Sequence, residues 1–332
     1  MGRSEIEGTG VQGAKGLERR PDVSFIMPAH NVAPYVQAAV TSTLRQAAVD
    51  VELIVVDDAS TDDTANIVSA LAEGDDRITL IRQAKNAGAA ATRNVAIDCA
   101  RGEWLAFVDA DDLVEPQRSR RLLDLARISA ADVVADNFER FNDAGTLRST
   151  MIPEGAEPYS FFVDSASFIR RNAMFDKRAD LGYIKPMFRA AFIRQHGIRH
   201  REDIYIGEDY HFCLSCLMAG ARFIVTSESF YKYRVRDGSL SWRLTKEDIA
   251  RLLGAHAAIE IGSSRYGHQM QEAAGFYARS LGVALQVTST VDNARAGLWL
   301  RALASALRNP RSWSVLARFA GKAVSKRLMS TF

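Results

Sequence analysis

Trp104-Leu105-Ala106-Phe107-Val108-Asp109-Ala110-Asp111-Asp112 decides how this chain is read. Five apolar residues predict a buried strand, and three carboxylates follow within four positions of its carboxyl end. Carboxylates set this closely repel one another unless a cation screens them, and Mg²⁺ or Mn²⁺ prefers such oxygen ligands alongside substrate phosphates. The alternative for an isolated acidic pair is a turn capping the helix that starts near Pro116. Context favours a metal and diphosphate site.

Upstream, Val23 to Pro28 is a short apolar run, followed by a helical pattern that opens at Pro34, a favoured first helical position. Val51 to Val56 repeats the theme, and Asp57-Asp58-Ala59-Ser60 leads into a helix where Ser60 and Asp63 have capping-box-like spacing. Arg77 to Arg82 predicts a third strand and residues 88 to 100 a helix closed by Gly102. Glu103 to Val108 predicts a fourth strand, Pro116 to about Ala130 a helix, and Asp132 to Ala135 one more strand. This alternation implies an α/β fold: a doubly wound, mainly parallel sheet with helices on both faces. Ligands bind beyond the strand carboxyl ends of such sheets, so Asp57-Asp58 and Asp109 to Asp112 share one edge.

The 332 residues are 47% hydrophobic and 25% charged, ordinary for a soluble globular protein. A net charge of +2 speaks against wholesale nucleic-acid binding, yet no acidic residue follows Asp292. Cys99, Cys213 and Cys216 lack a disulfide-scaffold spacing and fit a reducing, cytoplasmic setting; Cys213-x-x-Cys216 falls in an apolar helical stretch and reads as a pair of core thiols rather than a zinc half-site. Residues 1–20, with five glycines and many charges, are expected to be disordered and to hold no signal peptide; Ile6 excludes myristoylation at Gly2, and nothing is long and apolar enough to span a bilayer.

Taken in order, Val23 to Asn31, Val51 to Thr64, Asn86-Ala87-Gly88 to Arg93-Asn94 and Phe107 to Asp112 together resemble family 2 glycosyltransferases of the GT-A fold. The resemblance covers about residues 22 to 242, and within the family it is most similar to bacterial exopolysaccharide glucosyltransferases of the succinoglycan-assembly type. It implies inverting transfer of a sugar from a nucleotide diphosphate sugar with a divalent metal, Mg²⁺ or Mn²⁺. The domain expected is 21–244, with a nucleotide half at 21–135 and an acceptor half at 136–244, followed by a helical region at 245–332.

Under this resemblance, Asp58 accepts a hydrogen bond from uracil N3–H, with Asp57 holding the turn or supporting it. Pro28, Ala29 and His30 flank the base, and the His30 ring is placed to stack on it. Asn86 and Gly88 bring small residues close to the donor, and Arg93 suits a phosphate by its charge and fork of donors. Asp109 is expected on the ribose and Asp111 on the metal, with Asp112 a second ligand or a support. Gly207-Glu208-Asp209 matches the family's acidic motif ahead of an apolar helix. Asp209 is then the general base, and Glu208 orients it or binds acceptor hydroxyls. Arg236 stands where many relatives carry a histidine; arginine cannot ligate Mg²⁺, so its charge is expected on the diphosphate. Ser241-Trp242-Arg243 departs from the Gln-x-x-Arg-Trp motif of processive synthases, which favours one sugar per encounter.

Leu298 to Leu307 and 311 to 328 read as amphipathic helices, with Leu303, Leu307, Trp313, Leu316, Phe319 and Leu328 set among basic residues. A cationic face of this kind fits the inner-membrane surface, where a polyprenyl-linked oligosaccharide acceptor would be within reach. Packing on the catalytic domain, or a homodimer contact, is the competing use. The expected activity is transfer of a hexose, glucose foremost, from a UDP-sugar by a cytoplasmic, membrane-associated enzyme. Two competing classes are a sugar-1-phosphate nucleotidyltransferase, whose glycine-rich loop after the first strand is missing here, and a carbohydrate-binding or scaffold protein that has lost catalysis.

Overall fold

Val23–Ala29 and Val51–Asp57 lie side by side in parallel, Val23 opposite Val51 and Ala29 opposite Asp57. Every residue of Val51–Asp57 is buried, as a strand covered on both faces requires, and this is why Leu53 to Val56 are apolar without alternation, while buried Glu52 is paired with the Ser24 hydroxyl and Arg101. The computed structural model describes residues 10–13, 19–176, 178, 180–236, 244–259, 267–307, 312–313 and 315–317.

In chain order the elements are β1 Gly10–Gly13, β2 Val23–Ala29, α1 Ala33–Leu44, β3 Val51–Asp57, α2 Thr64–Gly74, β4 Ile78–Arg82, α3 Gly88–Cys99, β5 Trp104–Phe107 and β6 Leu113–Val114. There follow α4 Arg118–Ser129, β7 Val133–Phe141, β8 Arg148–Thr150, β9 Ser160–Val163, α5 Ser165–Arg171, β10 Met187–Arg189, α6 Ala190–Gln195, α7 Glu208–Met218 and β11 Phe223–Arg234. Helices α8 Lys246–Ala258, α9 His268–Arg295 and α10 Trp299–Leu307 close the described chain.

One sheet runs β1-β4-β3-β2-β5-β10-β7-β11-β6. Its first half is the expected parallel core, β4-β3-β2-β5. The second half is mixed: β10 is antiparallel to β5 and β7, while β11 is parallel to β7. The backbone N–H groups of Val108 and Asp58 donate to Ile26 and Ala29 carbonyls, so β2, β3 and β5 end together and their acidic turns emerge at one edge. Gly102, expected to close α3, does not cap it: the helix ends at Cys99 with Ala100 extended, and Gly102 instead sits so near β2 that a Cβ there would lie 2.5 Å from the Ser24 nitrogen.

Three further local expectations are corrected. Ser60 and Asp63 form no capping box: α2 begins at Thr64 without a side-chain cap, and Ser60 instead accepts from the Asn31 N–H while donating its own N–H to Asp57. Tertiary partners across the β2 and β3 turns outcompete the local cap. The strand placed at Asp132 to Ala135 is the nine-residue β7, lengthened by its pairing with β11. Gly10–Gly13, inside the stretch expected to hold no packed element, pairs antiparallel with β4; residues 1–9 and 14–18 lie outside the described chain.

The described residues of Met1–Asp164 and Leu181–Ser239 form one compact unit, and those of Ser165–Asp180 and Leu240–Phe332 another. The helical unit thus takes up α5 as well as the carboxyl-terminal helices. Thr245 and Asp248 cap α8 reciprocally. Helix α10 buries Ala302 but leaves Trp299 70% and Leu300 85% exposed, with Leu303 and Leu307 beside them. Among the described residues no helix is long and apolar enough to cross a membrane. Most of the helix expected over 311 to 328, and the Ser241-Trp242-Arg243 segment, lie outside the described residues.

Candidate active site

Arg93 sits at the centre of the site because three carboxylates from two distant turns converge on it. Its Nη1 donates to Glu208 Oε1 at 2.7 Å and lies 3.2 Å from Asp209 Oδ1, and its Nη2 donates to Asp109 Oδ1 at 3.0 Å. Lys185, in the turn before β10, bridges the same groups, its Nζ 2.8 Å from both Asp109 Oδ2 and Asp209 Oδ2. The parallel β2–β5 pairing delivers Asp109, α3 delivers Arg93, and the amino terminus of α7 delivers Glu208 and Asp209. Gly207, at φ +90, is the glycine that lets the chain enter α7 at that angle.

Burial opposes charge throughout this cluster, and partners decide each outcome. At Asp209 the penalty of burial is outweighed by Arg93 and Lys185, which hold the carboxyl well below the usual range. Asp109 is lowered in the same way by Lys185 and Arg93. Glu208 is raised, since burial and the Asp209 charge exceed what Arg93 offsets. Burial also works against the Lys185 ammonium, yet Asp109 and Asp209 keep it protonated far above neutrality. Burial and the Arg93 charge push His200 down to about 3, so it is a neutral ring. That ring stacks on Phe212 at 4.2 Å, within a Phe107, Phe188 and Phe212 cluster that floors the site.

The other two acids of the Asp109 turn face β11. Asp112 is buried; its Oδ2 accepts from the Tyr231 hydroxyl at 2.7 Å and its Oδ1 from the Arg234 N–H at 2.7 Å. Both of its carboxylate oxygens are thus engaged by β11. Tyr231 in turn accepts from the Asp109 N–H at 3.1 Å, so one phenol fixes both ends of the turn. Asp111 is partly open, and its Oδ2 accepts from Arg236 Nε at 2.7 Å. Burial and the Asp109 charge raise its carboxyl despite Arg236. Arg236 and Arg234 both lie over the Tyr35 ring, at 5.3 and 5.0 Å.

Among the described residues no three His, Cys, Asp or Glu side chains are gathered as a protein-only metal cage. The residues nonetheless fit a divalent cation of the Mg²⁺ or Mn²⁺ kind, which is commonly held by one or two carboxylates together with substrate phosphates. Among the described residues, Asp111 is an oxygen donor at the sheet edge whose charge a single guanidinium, that of Arg236, offsets.

On the other side of the edge, Asp58 is committed to the backbone: Oδ1 accepts from the Ala87 N–H at 2.7 Å and Oδ2 from the Gly88 N–H at 2.9 Å. The carboxylate expected to face uracil therefore also shapes the Asn86 to Gly88 turn, where Gly88 has φ +85. Asn86 donates to the Asp58 carbonyl at 3.3 Å, and His30 Nδ1 pairs with the same oxygen at 2.8 Å. Asp57 holds its own turn through the Ser60 N–H. Pro28 and Ala29 end β2 beside them. Arg93, expected on a phosphate, is 3% exposed among carboxylates instead, because three anions within reach outcompete solvent. Lys185, His200, Tyr231 and Arg234 were not singled out from sequence. Lys185 stands alone between apolar residues in Ile184-Lys185-Pro186, an uncommon place for a charge and the one signal that marked it.

An α/β sheet whose parallel strands end on two acidic turns, facing a third acidic pair at a helix amino terminus, has the architecture of the GT-A glycosyltransferases. The same fold appears in TarS of S. aureus in complex with UDP-GlcNAc, at TM-score 0.59 and 18% identity over 85% of this chain and 89% of that one. It appears also in the mannosyltransferase PcManGT of Pyrobaculum calidifontis in complex with GDP-Man and Mn²⁺, at TM-score 0.56 and 20% identity over 95% and 89%. The glycosyl transferase family 2 model matches residues 24–196, and the chain belongs to that family. Its relatives include two succinoglycan biosynthesis proteins of Rhizobium meliloti (strain 1021). ExoO is 35% identical over 73% of this chain and 69% of its own length, and ExoU 34% over 73% and 70%.

Proposed function

We propose that this glycosyltransferase moves a hexose, glucose foremost, from a UDP-sugar to a polyprenyl-linked oligosaccharide during exopolysaccharide assembly, with inversion and one sugar per encounter. The observation that carries this reading is the convergence of Asp109, Glu208 and Asp209 on one buried Arg93, which joins the donor edge to a candidate base. The acceptor hydroxyl oxygen attacks the anomeric carbon while the bond to the diphosphate oxygen breaks on the opposite face. The hydroxyl proton passes to Asp209, and the electron pair leaves with UDP. Glu208, paired with Arg93, keeps the motif oriented. Asp109 meets the ribose, and Asp111 holds Mg²⁺ or Mn²⁺ with Asp112 as its support. When bound, the metal neutralises charge developing on the diphosphate. Arg236, already on Asp111, adds a fixed positive charge at the same place.

The donor reading is supported by the UDP-GlcNAc and GDP-Man held by the two neighbours of the same fold, and the exopolysaccharide reading by the names of ExoO and ExoU. The apolar stripe of α10, followed by a tail without a single acid, supports peripheral attachment at the cytoplasmic face of the inner membrane. A panel of UDP- and GDP-sugars, each assayed for nucleotide release with Mn²⁺, tests the proposal. Release from UDP-glucose above the GDP-sugars is expected; release from GDP-sugars alone would refute the uridine assignment.

A further inference from the structure

We propose that Lys185 is a positioning residue for sugar transfer: it anchors Asp209 by Oδ2 against the donor-side carboxylate of Asp109, leaving Oδ1 to receive the acceptor proton. This rests on the reading of Asp209 as the base. Lys185 is 7% exposed, and its Nζ lies 2.8 Å from each carboxylate, so a single ammonium ties together residues one hundred positions apart. Asp209 Oδ1, in contrast, is buried and accepts no hydrogen bond among the described residues, although Arg93 lies beside it. Hydrogen-bonded through Oδ2 to Lys185 and in a longer ion-pair contact through Oδ1 with Arg93, the carboxylate presents Oδ1 in a defined direction.

Arg93 cannot do this by itself, because its Nη1 is shared between Glu208 and Asp209. Lys185 is itself fixed from behind. Its carbonyl accepts from Arg118, a fully buried guanidinium whose Nε and Nη2 donate to Asp136 Oδ1 at 3.0 and 2.9 Å. Lys185 and Asp209 line one small space together with the apolar side chains of Ile184, Pro186 and Phe188. The base is therefore referenced to the β7 and α4 framework rather than to its own helix alone. The charged groups facing Asp209 are Arg93 from α3, Lys185 from the turn before β10, Glu208 on α7 and Asp109 after β5; His200, after α6, faces it as a neutral ring.

The test compares Lys185→Met, Lys185→Arg and Asp209→Asn with the unaltered chain, measuring UDP release from UDP-glucose with Mn²⁺ across pH. Lys185→Met is expected to lower kcat on the order of 100-fold with KM within about threefold, and to move the acid limb up by more than about one pH unit. Lys185→Arg, keeping the charge, is expected to recover part of kcat. A Lys185→Met enzyme with kcat within about threefold and an unmoved acid limb would overturn the proposal while Asp209→Asn remained inactive. An active Asp209→Asn enzyme would remove the base reading and the proposal with it. A second readout needs no turnover: in protein labelled with ¹³C at aspartate carboxyls, the resonance missing from Asp209→Asn should titrate at higher pH in Lys185→Met than in the unaltered chain. An identical titration in the two would also overturn it.

Discussion

Arg93 Nη1 and Glu208 Oε1 meet at 2.7 Å across 115 positions of chain, closing the contact between the helix that follows the donor turns and the helix that carries the candidate base. The two acids of the motif nonetheless part in opposite directions: burial and the Asp209 charge raise Glu208 above its ordinary range despite Arg93, while Arg93 and Lys185 together hold Asp209 below its own. Oppositely perturbed neighbours are a recurrent sign of divided chemical roles. Here the permanently ionised member is the one that Lys185 anchors.

Replacing Asp209 with Asn keeps shape and removes basicity. Transfer should fall by about 10²–10⁴-fold, the usual contribution of a positioned general base. Calorimetric UDP binding with Mn²⁺ should persist; loss of binding as large as the loss of turnover would place Asp209 on the donor instead.

Arg93→Met would leave Asp109, Glu208 and Asp209 facing Lys185 alone in a buried site. Removing one partner of a buried ion pair costs about 3–5 kcal/mol, and urea unfolding should show a loss of that order. A loss under about 1 kcal/mol would mean that the three carboxylates are solvated in solution.

Tyr231→Phe removes the hydroxyl that donates to Asp112 and accepts from the Asp109 N–H. Hydrogen bonds to charged groups are worth about 1.5–3 kcal/mol, so both the urea midpoint and Mn²⁺-dependent activity should drop. Restoration by Mn²⁺ excess, without recovery of the midpoint, would confine the defect to the acidic turn.

The buried neutral His200 makes stability depend on pH. Its folded value, about 3, lies below the ordinary 6.5, so the unfolded chain binds the extra proton first. This contribution is complete above the unfolded value and declines as pH falls from 6.5 toward 3, by about 5 kcal/mol over the full interval. His200→Phe, which preserves stacking on Phe212, should flatten the loss of stability between pH 7 and pH 4. Parallel curves for the two proteins would show that other groups set that slope.

Leu300→Asp with Leu303→Asp disrupts the exposed stripe of α10 without touching buried Ala302. Burying one leucine side chain is worth about 1.5–3 kcal/mol, so co-sedimentation with anionic vesicles should weaken on the order of 100-fold or more. Equal soluble fractions for the variant and the unaltered chain would argue for a protein–protein role of this face.

Strand and helix alternation, the acidic edge and the apolar stripe of α10 were all legible in sequence, because each depends on local periodicity and on residues a few positions apart. Asp112 was open there to two roles, a second ligand beside Asp111 or its support. Only the pairing of β11 with β6 and β7 turns Asp112 inward to Tyr231 and leaves Asp111 at the edge with Arg236. Ser60 and Asp63 had the spacing of a cap, yet contacts from Asn31, twenty-nine positions earlier, claimed Ser60.

By itself, then, the sequence determined the parallel strands of the first half, where carboxylates follow them, and that the chain resembles glycosyltransferases of family 2. The tertiary structure decided which charges meet. Arg93, Lys185 and Asp209 have no shared pattern in sequence, since their neighbourhood is created by strand order and crossover packing. Electrostatic energy depends on distance and desolvation, and a linear chain specifies neither until the sheet has closed around the site.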